Sequence, residues 1–330
     1  MEIDLQTSFG GLQLRSPIII GSCPMTLNEL QRIAMISNGA GAIVLPSIVA
    51  GMNGQAKNFN SHFDYGSFEA YLDVVNQVTR ETTPVIASLT GSLNDDWKDL
   101  PVRIQDAGAH AIELSLRPTD FTNMDSRAIE DQIVSLTQAV DRRIEIPLFL
   151  KLTRKFTNIS HMARRLRPHV QGLILFGRTP VVDIELDSLK LSTCWGLTEP
   201  GTAVQNLETV IRTREEFPQM SLAACGGIGN SVDLIKCLLA GANVAMITSA
   251  LYRNGAGIIG TLKEGLVKFM NDRNLKTIKE LHSICPLLST VSSELDCGFP
   301  ETDGKTKVGQ NDSDRPVECN KYGHPRATNQ

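Results

Sequence analysis

The chain has 330 residues, 42% of them hydrophobic and 5% aromatic, with a formal net charge of -4. That is enough apolar mass for one large buried core, while the weakly acidic balance gives no basic field for nucleic acid or anionic lipid. The 7 cysteines show no CxxC spacing, and Cys23, Cys194, Cys225 and Cys237 sit in or beside apolar segments, as expected of reduced, mostly buried cytosolic thiols.

The first segment, Leu5 to Leu14, alternates apolar and polar residues around Gly10-Gly11. It predicts a short hairpin that plugs the N-terminal end of a barrel. Eight short apolar runs then alternate with helix-period segments, the pattern of repeated βα units around a parallel sheet. The strands are expected at 17–21, 42–46, 85–89, 111–116, 148–152, 172–176, 222–225 and 244–247. Helices are expected at 27–37, 68–79, 95–106, 127–142, 159–167, 207–216 and 231–239. Gly39, Gly108 and Gly241 each precede an alanine and then a strand, which marks a helix C-cap and a tight turn. The fold class is therefore α/β, a single (β/α)8 TIM barrel over residues 1–295. The loops after strands two, four and six are long, the usual place for ligand contacts, and the last should hold its own small hairpin. From 296 to 330 the chain is rich in Gly, Pro, Asp, Asn, Lys and Thr, as expected of a flexible polar tail. Cys297, Cys319 and His324 in that tail are expected to be exposed bystanders rather than a metal site. No secretory signal precedes Leu5 and no apolar run approaches about 18 residues, so a soluble, cytoplasmic protein with no membrane span is expected.

Chemistry is suggested at several strand ends. Lys151, in Leu148-Phe-Leu-Lys-Leu152, lies near the end of a strand that should be buried on both faces. Its ammonium must reach into the barrel mouth or pair with a core carboxylate such as Glu113 on the neighbouring strand. Placed at the mouth, it suits stabilisation of negative charge on a ligand, or Schiff-base chemistry. Glu113 and Ser115 alternate with apolar neighbours and should point inward, either as ligand contacts or as polar filler. Gly21-Ser22 and Pro46-Ser47 put small residues where a flat ligand could lie. Gly226-Gly227, ending the seventh strand, and Thr248-Ser249, ending the eighth, form the late pair of strand ends where such barrels hold a phosphate.

These stretches, Ser16-Pro-Ile-Ile-Ile-Gly-Ser22, Val44-Leu-Pro-Ser47, Glu113-Leu-Ser-Leu116, Leu150-Lys-Leu152, Cys225-Gly-Gly-Ile228 and Ile247-Thr-Ser-Ala-Leu251, resemble the FMN-dependent dihydroorotate dehydrogenases, and more closely their dihydroorotate dehydrogenase-like branch. The resemblance implies a flavoprotein oxidoreductase acting on CH-CH groups in pyrimidine biosynthesis. It implies FMN phosphate at Gly226, Gly227, Thr248 and Ser249, the flavin ring against Gly21, Ser22, Ser47 and Ser115, and Lys151 beside the ring. The family's second flavin-contacting lysine falls at Pro46, and two substrate asparagines fall at Ser115 and Gly177. The catalytic base of the loop after strand four has no clear counterpart. Thr119 is the nearest hydroxyl, with Asn123 further along that loop, and weak or absent turnover of dihydroorotate is expected. Three rivals use the same residues: a flavin-binding relative with another substrate or no catalysis, a non-flavin aldolase-type barrel with Lys151 as Schiff base, and a structural or regulatory barrel. The expected partner is a small-molecule substrate, with a homodimer as one possible assembly.

Overall fold

The computed structural model describes residues 3–49, 57–58, 67–91, 97, 99–116, 124–177, 181–194 and 196–286. Residues 1–290 make one compact unit. The tail expected at 296–330, with Cys297, Cys319 and His324, lies outside the described residues.

A hairpin of β1 (Thr7–Phe9) and β2 (Leu12–Leu14) comes first. The eight parallel strands of the barrel are β3 (Ile18–Ile20), β4 (Ala42–Val44), β7 (Val85–Gly91), β8 (Ala111–Leu116), β9 (Leu148–Leu152), β10 (Gly172–Leu175), β13 (Ser221–Cys225) and β14 (Val244–Ile247). They are hydrogen-bonded in sequence order, and pairing of β14 with β3 closes the ring. The barrel is the (β/α)8 fold expected, with all eight strands in place.

Between them stand helices α1 (Glu29–Ser37), α2 (Phe68–Val78), α3 (Leu100–Asp106), α4 (Ser126–Asp141), α5 (Ile159–Leu166), α6 (Val204–Glu216) and α7 (Ser231–Leu239). The segment after β14 folds as α8 (Ser249–Asn254), α9 (Gly257–Asn271) and α10 (Ile278–Ser283). The helix expected from 95 begins at Leu100 because Pro101, which has no N–H to leave unsatisfied, fits its first turn. The helix expected from 27 begins at Glu29, where Asn28 accepts the amide of Gln31 as an N-cap. Gly39, Gly108 and Gly241 all take positive φ, at 104°, 98° and 98°, as the C-cap assignment required.

Strand residues alternate between two cores. Ile18, Ile20, Ile43, Leu114, Leu150 and Leu173 pack outward under the helices. Ile19, Val44, Ile86, Ala111, Phe149, Ile174, Ala223 and Val244 fill the barrel. Phe9 and Leu14 of the hairpin join this inner core, and Phe9 stacks at a tilt on Phe149 with centroids 4.3 Å apart. The hairpin therefore closes the N-terminal end, leaving the C-terminal mouth for function.

The long loops carry extra strands. β5 (Ile48–Val49) pairs with β7 and with β6 (Lys57–Asn58). The loop after β10 forms the expected hairpin, β11 (Val181–Glu185) with β12 (Lys190–Cys194). None of the described helices is long and apolar enough to cross a membrane.

Candidate functional site

The barrel interior changes character along its axis. Ile86, Ala111 and Phe149 are apolar, but on the same inward rows Ser88, Glu113 and Lys151 come next toward the C-terminal end. Two-residue periodicity makes this alternation a property of the strands. Lys151 Nζ donates to Glu113 Oε1 at 2.7 Å, with side chains only 12% and 1% exposed. Ser88 Oγ lies 3.2 Å from the same Oε1, Ser47 Oγ is 2.7 Å from Ser88, and Ser22 Oγ is 3.2 Å from Ser47. Five consecutive barrel strands thus end in one hydrogen-bonded row. Among the described residues, the buried Glu113 Oε2 has no hydrogen-bond partner.

Further contacts fix this row. The buried Tyr71 hydroxyl accepts the Ser88 amide at 3.1 Å, and burial pushes its phenol well above the usual range. Ser115 stands opposite Lys151 in the β8–β9 register, and its carbonyl accepts Thr90 Oγ1 at 2.6 Å. A Cβ at Gly177 would lie 3.2 Å from both Cγ and Cδ of Lys151. The missing side chain at 177 therefore makes room for the lysine stem.

At the other side of the mouth, Gly226 and Gly227 take φ of 96° and 76°, conformations that glycine adopts without steric cost. Among the described residues, only Asn206 Nδ2, at 3.9 Å, comes within 4 Å of a Cβ position at Gly226. Gly227 is different: a Cβ there would meet Thr202 Oγ1 at 2.3 Å and the Ala203 amide at 2.4 Å. Its N–H donates to Thr198 Oγ1 at 3.2 Å, and that hydroxyl also lies 3.0 Å from Ser249 Oγ. Thr198 thus bridges the two strand ends. Arg253 donates to the Thr198 carbonyl at 2.5 Å and to Glu199 at 2.7 Å. Thr248 Oγ1 packs against Gly21, where a Cβ would stand 2.3 Å away. Buried Asp233 accepts the amides of Gly201 and Gly229 at 3.1 and 2.9 Å, which fixes the adjoining loop.

Comparison with known proteins decides the family. Residues 5–270 match the dihydroorotate dehydrogenase family. The chain belongs to that family. It is 24% identical over 295 residues to the catalytic subunit of dihydroorotate dehydrogenase B (NAD(+)) of Thermoplasma volcanium, covering 84% of this chain and 97% of that protein. The corresponding Methanocaldococcus jannaschii subunit is 25% identical over 304 residues, covering 85% and 97%. A chloroplastic dihydropyrimidine dehydrogenase (NADP(+)) of Arabidopsis thaliana is 24% identical over 333 residues, covering 86% and 78%. The chain is thus a dihydroorotate dehydrogenase-like oxidoreductase, of a family of flavoenzymes.

Within this dihydroorotate dehydrogenase fold the residues expected at the site share one end of the barrel: Gly21, Ser22, Ser47, Ser115, Lys151, Gly226, Gly227, Thr248 and Ser249 all stand at C-terminal strand ends. Thr119 and Asn123 lie outside the described residues. Lys151 meets Glu113, the carboxylate named as its alternative partner. The aldolase alternative is not favoured, since the family match and the relatives are dehydrogenases. Sequence reasoning missed Ser88 and Thr198. Ser88 carried a signal, being the polar residue on the inward row of a buried strand; Thr198, in a long loop, carried none. Burial pushes the Cys23 thiol up to about 11 and Cys237 to about 12, which disfavours the nucleophilic thiolate at both. No group of three or more His, Cys, Asp or Glu suited to a metal occurs among the described residues.

Proposed function

We propose that this chain binds FMN across the barrel mouth and oxidises the carbon–carbon single bond of a dihydropyrimidine ring. The observation that carries the proposal is the placement of two complementary ends on one face. A buried, ion-paired ammonium stands on β9, and a glycine-and-hydroxyl corner closes β13 and β14.

The corner fits a phosphate by its donors. Gly227 N–H donates to Thr198 Oγ1 and Thr198 Oγ1 donates to Ser249 Oγ, so the Ser249 hydroxyl keeps its own proton for a phosphate oxygen beside Gly226. Gly226, Gly227, Thr248 and Ser249 would hold the phosphate end. Gly21, Ser22, Ser47 and Ser115 would line the ring, and Lys151 would place a positive charge beside it. The bound flavin supplies the hydride acceptor. The chain's own part is to hold the ring, keep Lys151 charged and set the substrate against it. Thr119 is the hydroxyl proposed to take the substrate proton, through a neighbouring group or water. The substrate class rests on what relatives in two activities share: dihydroorotate and dihydropyrimidine dehydrogenases both act on a saturated pyrimidine. Ser115 and Gly177 offer no amide side chain to either, which supports slow turnover of dihydroorotate itself.

Anaerobic mixing of flavin-loaded protein with dihydroorotate, and separately with dihydrouracil, tests this. Bleaching of the flavin by at least one is expected, more slowly with dihydroorotate. A flavin that dithionite reduces but neither compound touches would refute the substrate class. As to assembly, we propose a homodimer through the β11–β12 hairpin. One face of the hairpin carries Val182, Ile184 and Leu191, and its turn carries Leu186 and Leu189, all 55–83% exposed. A two-stranded hairpin with a bare apolar face is marginal in water unless covered.

A further inference from the structure

The row from Ser22 to Lys151 has a direction. Glu113, ion-paired with Lys151, accepts hydrogen bonds and donates none. Ser88 must therefore donate its hydroxyl proton to Glu113 Oε1. Its lone pairs are then left to accept from Ser47, and those of Ser47 to accept from Ser22. Each hydroxyl has one proton, so the Ser22 proton is committed inward. Ser22 Oγ consequently meets the barrel mouth as an acceptor only.

We propose that Glu113 is a positioning residue that sets both ends of this chain, holding Lys151 as a donor and Ser22 as an acceptor toward the ring of a bound flavin. The inference rests on the proposed binding of FMN and extends it to residues below the ring. Three observations support it. Glu113 is almost fully buried, its Oε2 makes no hydrogen bond among the described residues, and its Oε1 takes both the Lys151 ammonium and the Ser88 hydroxyl. Tyr71 pins Ser88 through the backbone amide, leaving the Ser88 hydroxyl to the chain. Gly177 leaves room for the lysine stem, because a Cβ there would lie 3.2 Å from its Cγ and Cδ, and the ammonium at the end of that stem meets Glu113.

Both ends of the row act on a bound ring. The carboxylate offsets much of the Lys151 charge, so the ring meets an attenuated cation. Reduced flavin, which is more negative than oxidised flavin, is then less favoured than beside a bare lysine. At the other end, Ser22 would offer a pre-oriented acceptor to a hydrogen-bond donor on the ring.

The test uses the full chain loaded with FMN, measuring the flavin midpoint potential and the dissociation constant of its sulfite adduct, together with riboflavin affinity of the flavin-free protein. Glu113→Gln keeps an acceptor oxygen for Lys151 but removes the charge. It should raise the midpoint potential and tighten sulfite binding at least tenfold, and Glu113→Asp should restore parental values in part. Ser88→Ala and Ser47→Ala cut the same chain at different links and leave the ion pair intact. Ser88→Ala, at a residue that does not line the ring, should weaken riboflavin about fivefold with the potential unchanged, and Ser47→Ala, which also loses its own place against the ring, should weaken riboflavin at least as much. An unchanged potential and sulfite affinity in Glu113→Gln would overturn the inference. So would parental riboflavin affinity in both serine variants, a readout that survives if the glutamate variants fail to fold. Failure of the parent protein to bind any flavin would instead refute FMN binding, and this inference with it.

Discussion

Ser249→Ala tests the phosphate corner more cleanly than any glycine substitution there. Ser249 Oγ accepts the Thr198 amide at 3.0 Å and lies 3.0 Å from the Thr198 hydroxyl. Both residues are half-buried, so without a ligand the lost contacts cost less than about 1 kcal/mol. Melting should then fall by no more than about 4 °C. With FMN present, the same hydroxyl would donate to a phosphate oxygen. Hydrogen bonds to charged groups contribute about 1.5–3 kcal/mol, a loss of roughly 10- to 150-fold in affinity. A variant at Gly227 cannot separate these effects. Its Cβ would stand 2.3 Å from Thr202 Oγ1 and 2.4 Å from the Ala203 amide, at a φ of 76°, so it would distort the loop with or without ligand. The assay is fluorescence titration of the flavin-free variant with FMN and with riboflavin, which lacks the phosphate. FMN affinity should drop while riboflavin affinity stays at the parental value. Unaltered FMN affinity, or an equal fall for both ligands, would place the phosphate elsewhere.

Two further outcomes are expected. Lys151→Met leaves a carboxylate buried without its counter-charge and should cost about 3–5 kcal/mol, whereas adding Glu113→Gln should recover most of the loss; a double variant no more stable to urea than the single one would contradict the buried ion pair. Replacing Ile184 and Leu191 together by Asp should turn the proposed dimer into monomer with no loss of barrel stability, as read by sedimentation and far-ultraviolet melting, and an unchanged sedimentation coefficient would exclude the hairpin as the interface.

Much of the molecule was legible in the sequence because its causes are local. Strands such as Val244–Ile247 are continuous apolar runs since both of their faces are buried, and each lies where its run of residues put it. Gly39, Gly108 and Gly241 announced three helix ends because the left-handed backbone they adopt is open mainly to glycine. Lys151 stood out because an ammonium on a buried strand needs a partner or a mouth; it has Glu113 as its partner and lies at the C-terminal end of its strand. What lies between those residues was not legible. Ser22, Ser47, Ser88, Glu113 and Lys151 come from five strands, and only the register of those strands and the closure of the ring set their hydroxyls, carboxylate and ammonium 2.7–3.2 Å apart. Thr198 reaches Gly227 and Ser249 across a long loop that has no periodic pattern to place it. Local sequence determined where each strand ends; the three-dimensional barrel decided which of those ends touch, because hydrogen bonds are made by position in space and not by spacing along the chain.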